Sequence, residues 1–160
     1  MRARSANDIS VAVKFAGEFN IPLVIKNSGH DYLGRASRRN ALMIWTHFMD
    51  DVEFLSEDGK WEPAGCTAND CRAAAGKHKE SGLLVKAHAG VNLYQLYSAV
   101  TKKGRIVVAG AATTVGVSGG YIQAGGHSPL GPFLGMGSDN MVEAEVVIAD
   151  VCVPLSSTAI

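Results

Sequence analysis

No run of about 18 consecutive apolar residues occurs anywhere in the 160-residue chain, so the sequence contains no helix fit to span a bilayer. Formal net charge is zero and no basic or acidic block interrupts the chain, so electrostatics point neither to nucleic acid nor to an anionic membrane surface. Cysteine is scarce. Cys66, Cys71 and Cys152 make an odd count without a C-x-x-C pair, which argues against both a disulfide framework and a zinc site. The first residues, MRARSANDIS, lack the apolar stretch of a secretion signal, so the chain as written is expected to stay soluble in the cytosol. Two nucleotide-binding signatures are missing as well. There is no G-x-x-x-x-G-K-[ST], and Gly135-Met-Gly137 is followed by Ser-Asp-Asn where a dinucleotide fingerprint needs a third glycine.

What the chain does have is glycine, 18 residues in 160, against a usual share of roughly 7%. The apolar fraction of 47% and charged fraction of 19% are those of an ordinary globular chain, and the length suits one domain with a real core. Ser5-Ala-Asn7-Asp8 ahead of Ile9, Val11, Val13, Phe15, Ala16 and Phe19 predicts a capped amphipathic helix that stops at Asn20, near Pro22. Apolar runs of strand length follow at Ile21 to Ile25 and Ala41 to Trp45, and a loop with glycines separates them. Asp58-Gly59 suggests a hairpin between Val52–Leu55 and Trp61–Glu62, and residues 66 to 82 read as a short helix or an irregular excursion. Leu83 to Ala87 is read as a strand, Leu93 to Lys103 as a helix closed by Gly104, Ile106 to Val108 as a strand and Val142 to Ala149 as another. Between them, Gly110 to Gly137 is dominated by glycine and is expected to be loop.

Two local patterns compete for a function. Gly116-Val-Ser118-Gly-Gly120 matches the G-x-S-x-G elbow of serine hydrolases, in which a helix begins directly after the nucleophile. Here a glycine pair and a proline follow closely, and His127 precedes Asp139, so the usual order of triad residues is not met. The five histidines are His30, His47, His78, His88 and His127, with no pair at the i, i+4 spacing of a helical metal site, and no metal is expected. His47, His78 and His88 read as ordinary surface or partly buried side chains. His30 and His127 lie among glycines, where each is either a turn residue or part of a site. Loops this rich in small residues let main-chain N–H groups converge on an anion. Two such loops, each after a strand and about 80 residues apart, could wrap one extended ligand carrying a pyrophosphate, such as FAD.

The stretches IPLVIKNSGHDYLGRAS, HAGVNLYQLYSAVTKKG and TTVGVSGGYIQAGGHSPLGPFLGMGSDNMVEAEVVIAD together resemble the FAD-binding domain of the vanillyl-alcohol oxidase and p-cresol methylhydroxylase (PCMH) superfamily, most closely fungal berberine-bridge-enzyme-like oxidases. The resemblance runs from about Ser5 to Asp150. It implies an α+β fold of PCMH type, with a small parallel βαβ unit and a mixed sheet flanked by helices. It also implies a domain over 5–150 that is incomplete at both ends, residues 1 to 4 being a stub of a first strand, and a divergent tail over 151–160. The codons of Val151-Cys152-Val153 could spell a fungal intron donor read through to a stop.

By the same resemblance, FAD contacts fall on Lys26, Asn27, Ser28, Gly29, His30, Asp31 and Ser37, then on Thr114, Val115, Gly116, Gly119, Gly120, Gly126 and His127, with Val147 near the adenine. His30 would bond to the flavin 8-methyl group. Many relatives use a cysteine where this chain has Ala112-Thr113, so attachment through His30 alone is expected. Ala124 stands where the family has the first of three glycines, a substitution that a positive φ would resist. The implied function is that of a flavin-dependent oxidase that passes hydride from an organic substrate to FAD and then to dioxygen. The substrate domain of longer relatives is missing here, so the small-molecule substrate belongs to a full-length form and the catalytic residues are unknown. The alternatives are a non-catalytic flavin- or nucleotide-binding remnant and a serine hydrolase acting through Ser118. The resemblance leaves the compartment open, since full-length relatives are often secreted.

Overall fold

The structure is a computed structural model that describes residues 1–55 and 84–149, together with the backbone of 152–156. Ser5 caps the first helix, α1 (Ala6–Glu18), by accepting the Asp8 N–H on its hydroxyl at 3.1 Å. The helix ends as the sequence predicts. Asn20 takes a positive φ of 52°, the Asn20 N–H donates to the Gly17 carbonyl, and the Ile21 N–H donates to the Ala16 carbonyl. These paired bonds satisfy carbonyls that the last turn would otherwise leave open.

From there the chain enters β1 (Leu23–Lys26), which pairs in parallel with β2 (Leu42–Trp45), Leu23 opposite Leu42 and Lys26 opposite Trp45. Met1 to Ala3 runs parallel along the other side of β2, through an Arg2–Trp45 bridge and an Ala3 N–H bond to the Trp45 carbonyl. With α1 as the crossover between that segment and β1, this is the expected parallel βαβ unit. Its core is Ala3, Ala12 and Ile44, packed by Ile9, Val13, Leu23, Leu42 and Met49.

A second core lies around α2 (Leu93–Thr101), where Val91, Leu96 and Val100 are buried against Val52, Phe54, Val85, Ala87, Val107 and Val117. Beside it β3 (Val52–Phe54) pairs antiparallel with β4 (Val85–Ala87). Among the described residues, the partner of β3 is β4. The other arm of the expected hairpin, Trp61–Glu62, and the helix or excursion at 66 to 82 lie outside the described residues.

Ile106 to Val108 forms no strand. Ile106 is 71% exposed while Val108 and Ala109 are buried, so the segment is apolar because it packs under α2, not because it joins a ladder. Between Gly110 and Gly137 the chain is mostly loop, as expected, but it also holds a π-type turn over Val117–Tyr121, broken by non-helical backbone at Ser118 and Gly119, and one α-helical turn, α3 (Gly131–Leu134). A 3-10 turn follows at Ser138–Asn140. The chain then forms β5 (Glu143–Val147), paired antiparallel with the backbone of β6 (Cys152–Ser156). The described sheets are thus one parallel and two antiparallel pairs, an α+β arrangement, and no single mixed sheet joins them. Among the described residues, no helix is long and apolar enough to cross a membrane.

Candidate functional site

The two glycine-bearing loops meet where the two cores adjoin. The first leaves the end of β1 as Asn27-Ser28-Gly29-His30-Asp31. Gly29 has a φ of +86°, and a Cβ there would lie 2.9 Å from Lys26 Cε, so the sharp turn over the lysine stem needs glycine. Further along, Asp31 closes the next turn. It accepts from the Arg35 backbone N–H and pairs with the Arg35 guanidinium at 2.8 Å. The Arg35 hydrogen bond holds the Asp31 carboxyl below its ordinary value.

The second loop is set by the start of α2. Asn92 and Gln95 form a reciprocal capping box, and two of the remaining N–H groups of that helix end donate outward, from Leu93 to the Val115 carbonyl at 2.9 Å and from Tyr94 to the Thr113 carbonyl at 2.8 Å. A helix terminus leaves such donors over. Here they pin Thr113 to Val115, and an Asn92–Gly116 bridge and the Val117 N–H bond to the Val91 carbonyl continue the anchorage.

Three contacts join the loops. The Gly116 N–H donates to Ser28 Oγ at 3.2 Å. His30 Nε2 lies 2.7 Å from Thr114 Oγ1. Gly116 also lies directly against Asn27, since a Cβ on it would be 2.1 Å from Asn27 Nδ2. Asn27 itself spans the junction, donating from Nδ2 to the Ala89 carbonyl at 2.7 Å while its own carbonyl accepts Trp45 Nε1–H at 2.9 Å.

The structure therefore brings Asn27, Ser28 and His30 together with Thr114 and Gly116, and Val115 holds the start of α2. Gly119 and Gly120 follow on the same segment with open space at each Cβ position, Gly119 at a φ of +107°. The other candidates stand elsewhere. Ser37 is exposed and bonded to its own turn at Gly34. Gly126 is buried against Gly137 and Tyr121, while His127 is exposed and its carbonyl accepts the Tyr121 hydroxyl at 3.0 Å. Val147 is half-buried on β5, opposite Cys152.

Ser118 does not form a nucleophile elbow. Its hydroxyl donates to the Ala87 carbonyl at 3.1 Å and lies 3.5 Å from that of His88, and among the described residues no histidine ring is its hydrogen-bond partner. The serine is a structural link to the end of β4. Among the described residues no group of three metal-ligating side chains occurs. Ala124 is not at a positive φ; Gly125 and Gly126 are, at 96° and 74°. The backbone thus accepts the extra methyl.

Sequence reasoning did not assign Trp45, Thr46 and Ala89 to the site. Thr46 Oγ1 lies 3.1 Å from the Ala89 carbonyl and 3.3 Å from that of Lys26, which joins the roots of both loops. The signal was Gly90 in His88-Ala-Gly90. A Cβ there would lie 2.3 Å from the Thr46 carbonyl oxygen.

These features fit a dinucleotide with a pyrophosphate. The backbone N–H groups of Ser28, Gly29 and His30 donate to no described residue, and the Lys26 ammonium stands beside the Gly29 turn, 3.6 Å from its Cβ position. Main-chain donors left over beside a cation suit a polyanion. Asn27 Oδ1 is buried and accepts no hydrogen bond from the protein, an uncommon state for a buried polar atom and one that a ligand donor would relieve.

Comparison with known proteins agrees. Residues 1–151 match the model of the FAD binding domain. An FAD-linked oxidoreductase of Arthroderma benhamiae is 43% identical over 149 residues, covering 91% of this chain and 23% of that protein. A VAO-type flavoprotein oxidase of Thermothelomyces thermophilus is 37% identical over 145 residues, covering 91% and 22%. Among solved structures, a VAO-type flavoprotein from Myceliophthora thermophila matches with a TM-score of 0.79 at 34% identity, over 96% of this chain and 25% of that one. The chain thus spans less than a quarter of the length of these two curated relatives. With its loops, its capped helix and its matched length, this chain belongs to the FAD binding domain family of FAD-linked, VAO-type oxidoreductases.

Proposed function

We propose that the chain holds FAD between the loop Lys26–Asp31 and the segment Thr114–Gly120, with His30 as its one covalent anchor, and that it serves as the cofactor domain of an oxidase. The observation that carries this reading is the meeting of the loops at His30 and Thr114, 2.7 Å apart. Lys26 and the N–H groups of Ser28 and Gly29 receive the pyrophosphate. In its neutral form the His30 imidazole carries a ring lone pair that can act as the nucleophile. Ala112 offers only a methyl group, so no second bond forms there. When bound, FAD supplies hydride acceptance and reoxidation by dioxygen, while the protein orients it. Among the described residues, none is assigned to the small-molecule substrate.

Incubation with FAD, removal of excess and denaturation test the proposal. The expected result is flavin fluorescence that stays with the denatured chain and is lost in His30→Ala, which still takes up FAD reversibly. A chain that acquires no flavin absorbance defeats the reading. Reversible colour in the unaltered protein favours the second reading, a non-catalytic flavin-binding remnant.

A further inference from the structure

We propose that Thr114 is a positioning residue that selects which ring nitrogen of His30 is presented to the flavin; this rests on the covalent reading above. The two side chains come from loops 84 residues apart and meet at 2.7 Å through Nε2 and Oγ1. Neither loop is free to drift. Thr113 and Val115 on either side of Thr114 are bonded to the first residues of α2, and the Val115 N–H returns to the Ala112 carbonyl at 3.0 Å. On the facing loop, Ser28 is held by the Gly116 N–H and Asn27 by Ala89 and Trp45. The threonine hydroxyl is therefore a fixed point against which the imidazole is set.

A hydroxyl both donates and accepts, and a neutral imidazole has one N–H and one lone pair. With Nε2–H donating to Thr114 Oγ1, the lone pair lies on Nδ1, which does not face Thr114. On attachment, a bond forms between His30 Nδ1 and the 8-methyl carbon, while one methyl C–H and the His30 Nε2–H break. The two protons and two electrons released reside on the flavin until dioxygen takes them up as hydrogen peroxide. Nε2 is then an acceptor, and the Thr114 hydroxyl turns to donate to it. One residue serves both states of the ring. Valine serves neither, and serine serves both.

The test compares the full chain with Thr114→Val and Thr114→Ser. Nitrogen-15 NMR of the histidine side chains, recorded without FAD, is expected to show His30 as the Nε2–H form in the original chain and in Thr114→Ser, and as a mixture of both forms in Thr114→Val. At saturating FAD, covalent loading read by flavin fluorescence after denaturation should slow about 3- to 10-fold in Thr114→Val, the effect of losing one ordinary hydrogen bond. Thr114→Ser should restore it. His30 in the Nδ1–H form in the original chain overturns the proposal, as does Thr114→Val loading at the original rate. Failure of the covalent reading shows differently, as FAD bound but never covalent in the unaltered protein, and it removes the attachment role assigned to Thr114 as well.

Discussion

Gly116 shows how one missing side chain joins the loops. Its N–H reaches Ser28 and its Cα faces Asn27, whose amide is already committed to the Ala89 carbonyl. Gly116→Ala is expected to cost about 1–3 kcal/mol by overpacking and to weaken FAD uptake, measured by chemical denaturation and by FAD titration. An unchanged midpoint would mean that Asn27 can swing aside. Asp31 offers a test by pH. Its folded pKa is lowered from 3.8, first by the side-chain hydrogen bond from Arg35, so its contribution is present above that ordinary value and lost as pH falls through the depressed one. A carboxyl NMR titration should place Asp31 below 3.8, and Arg35→Met should bring it back. Ala124 gives the opposite lesson to Gly116. Restoring glycine there should lower stability by about 0.4–1 kcal/mol, because the backbone at Ala124 already suits an L-residue. The residue types of the site were legible, since lysine, histidine and small residues after a strand announce an anion loop. The φ at Ala124 was not, because only the path into Gly125 and Gly126 determines it.

At the level of elements, the two longer helices, α1 and α2, were legible, while the strands and the short turn α3, which lies in a segment read as loop, were less so. Helix ends are written locally. Ser5 and Asn20 bound α1, and Asn92 with Gln95 starts α2, all within a few residues of sequence. Asn92→Ala is expected to cost about 1 kcal/mol and to increase hydrogen exchange at Thr113 to Val115, since the same helix end pins that loop. Equal protection with and without Asn92 would show that the loop is held by other means. Strands depend on distant partners. Ile106 to Val108 has the composition of a strand but packs beneath α2 without a ladder, and β3 pairs with a segment more than thirty residues later, Val85–Ala87. Nothing local distinguishes a buried extended segment from a paired one.

For the whole molecule, the arrangement of two cores with the loops between them would make a cofactor held as proposed a structural bridge. Ala3, Ala12 and Ile44 center one core, and Val91, Leu96 and Val100 the other. The described hydrogen bonds that join them at the site include those from Asn27 and Thr46 to the Ala89 carbonyl and from the Gly116 N–H to Ser28. FAD at about 100 times its Kd should therefore add about 2.7 kcal/mol of stability, with exchange protection gained on β1–β2 and on α2 together. Protection confined to one core would show that the ligand does not span the junction. By itself the sequence determined α1 and α2 with their caps, the glycine-rich loops and the family, because those depend on residue types and on spacing within short windows. Only the tertiary structure decided which strands pair, that His30 meets Thr114 while His127 stands apart, and that Ser118 is a structural link. Those outcomes depend on how segments distant in sequence pack against one another, and no short window contains that information.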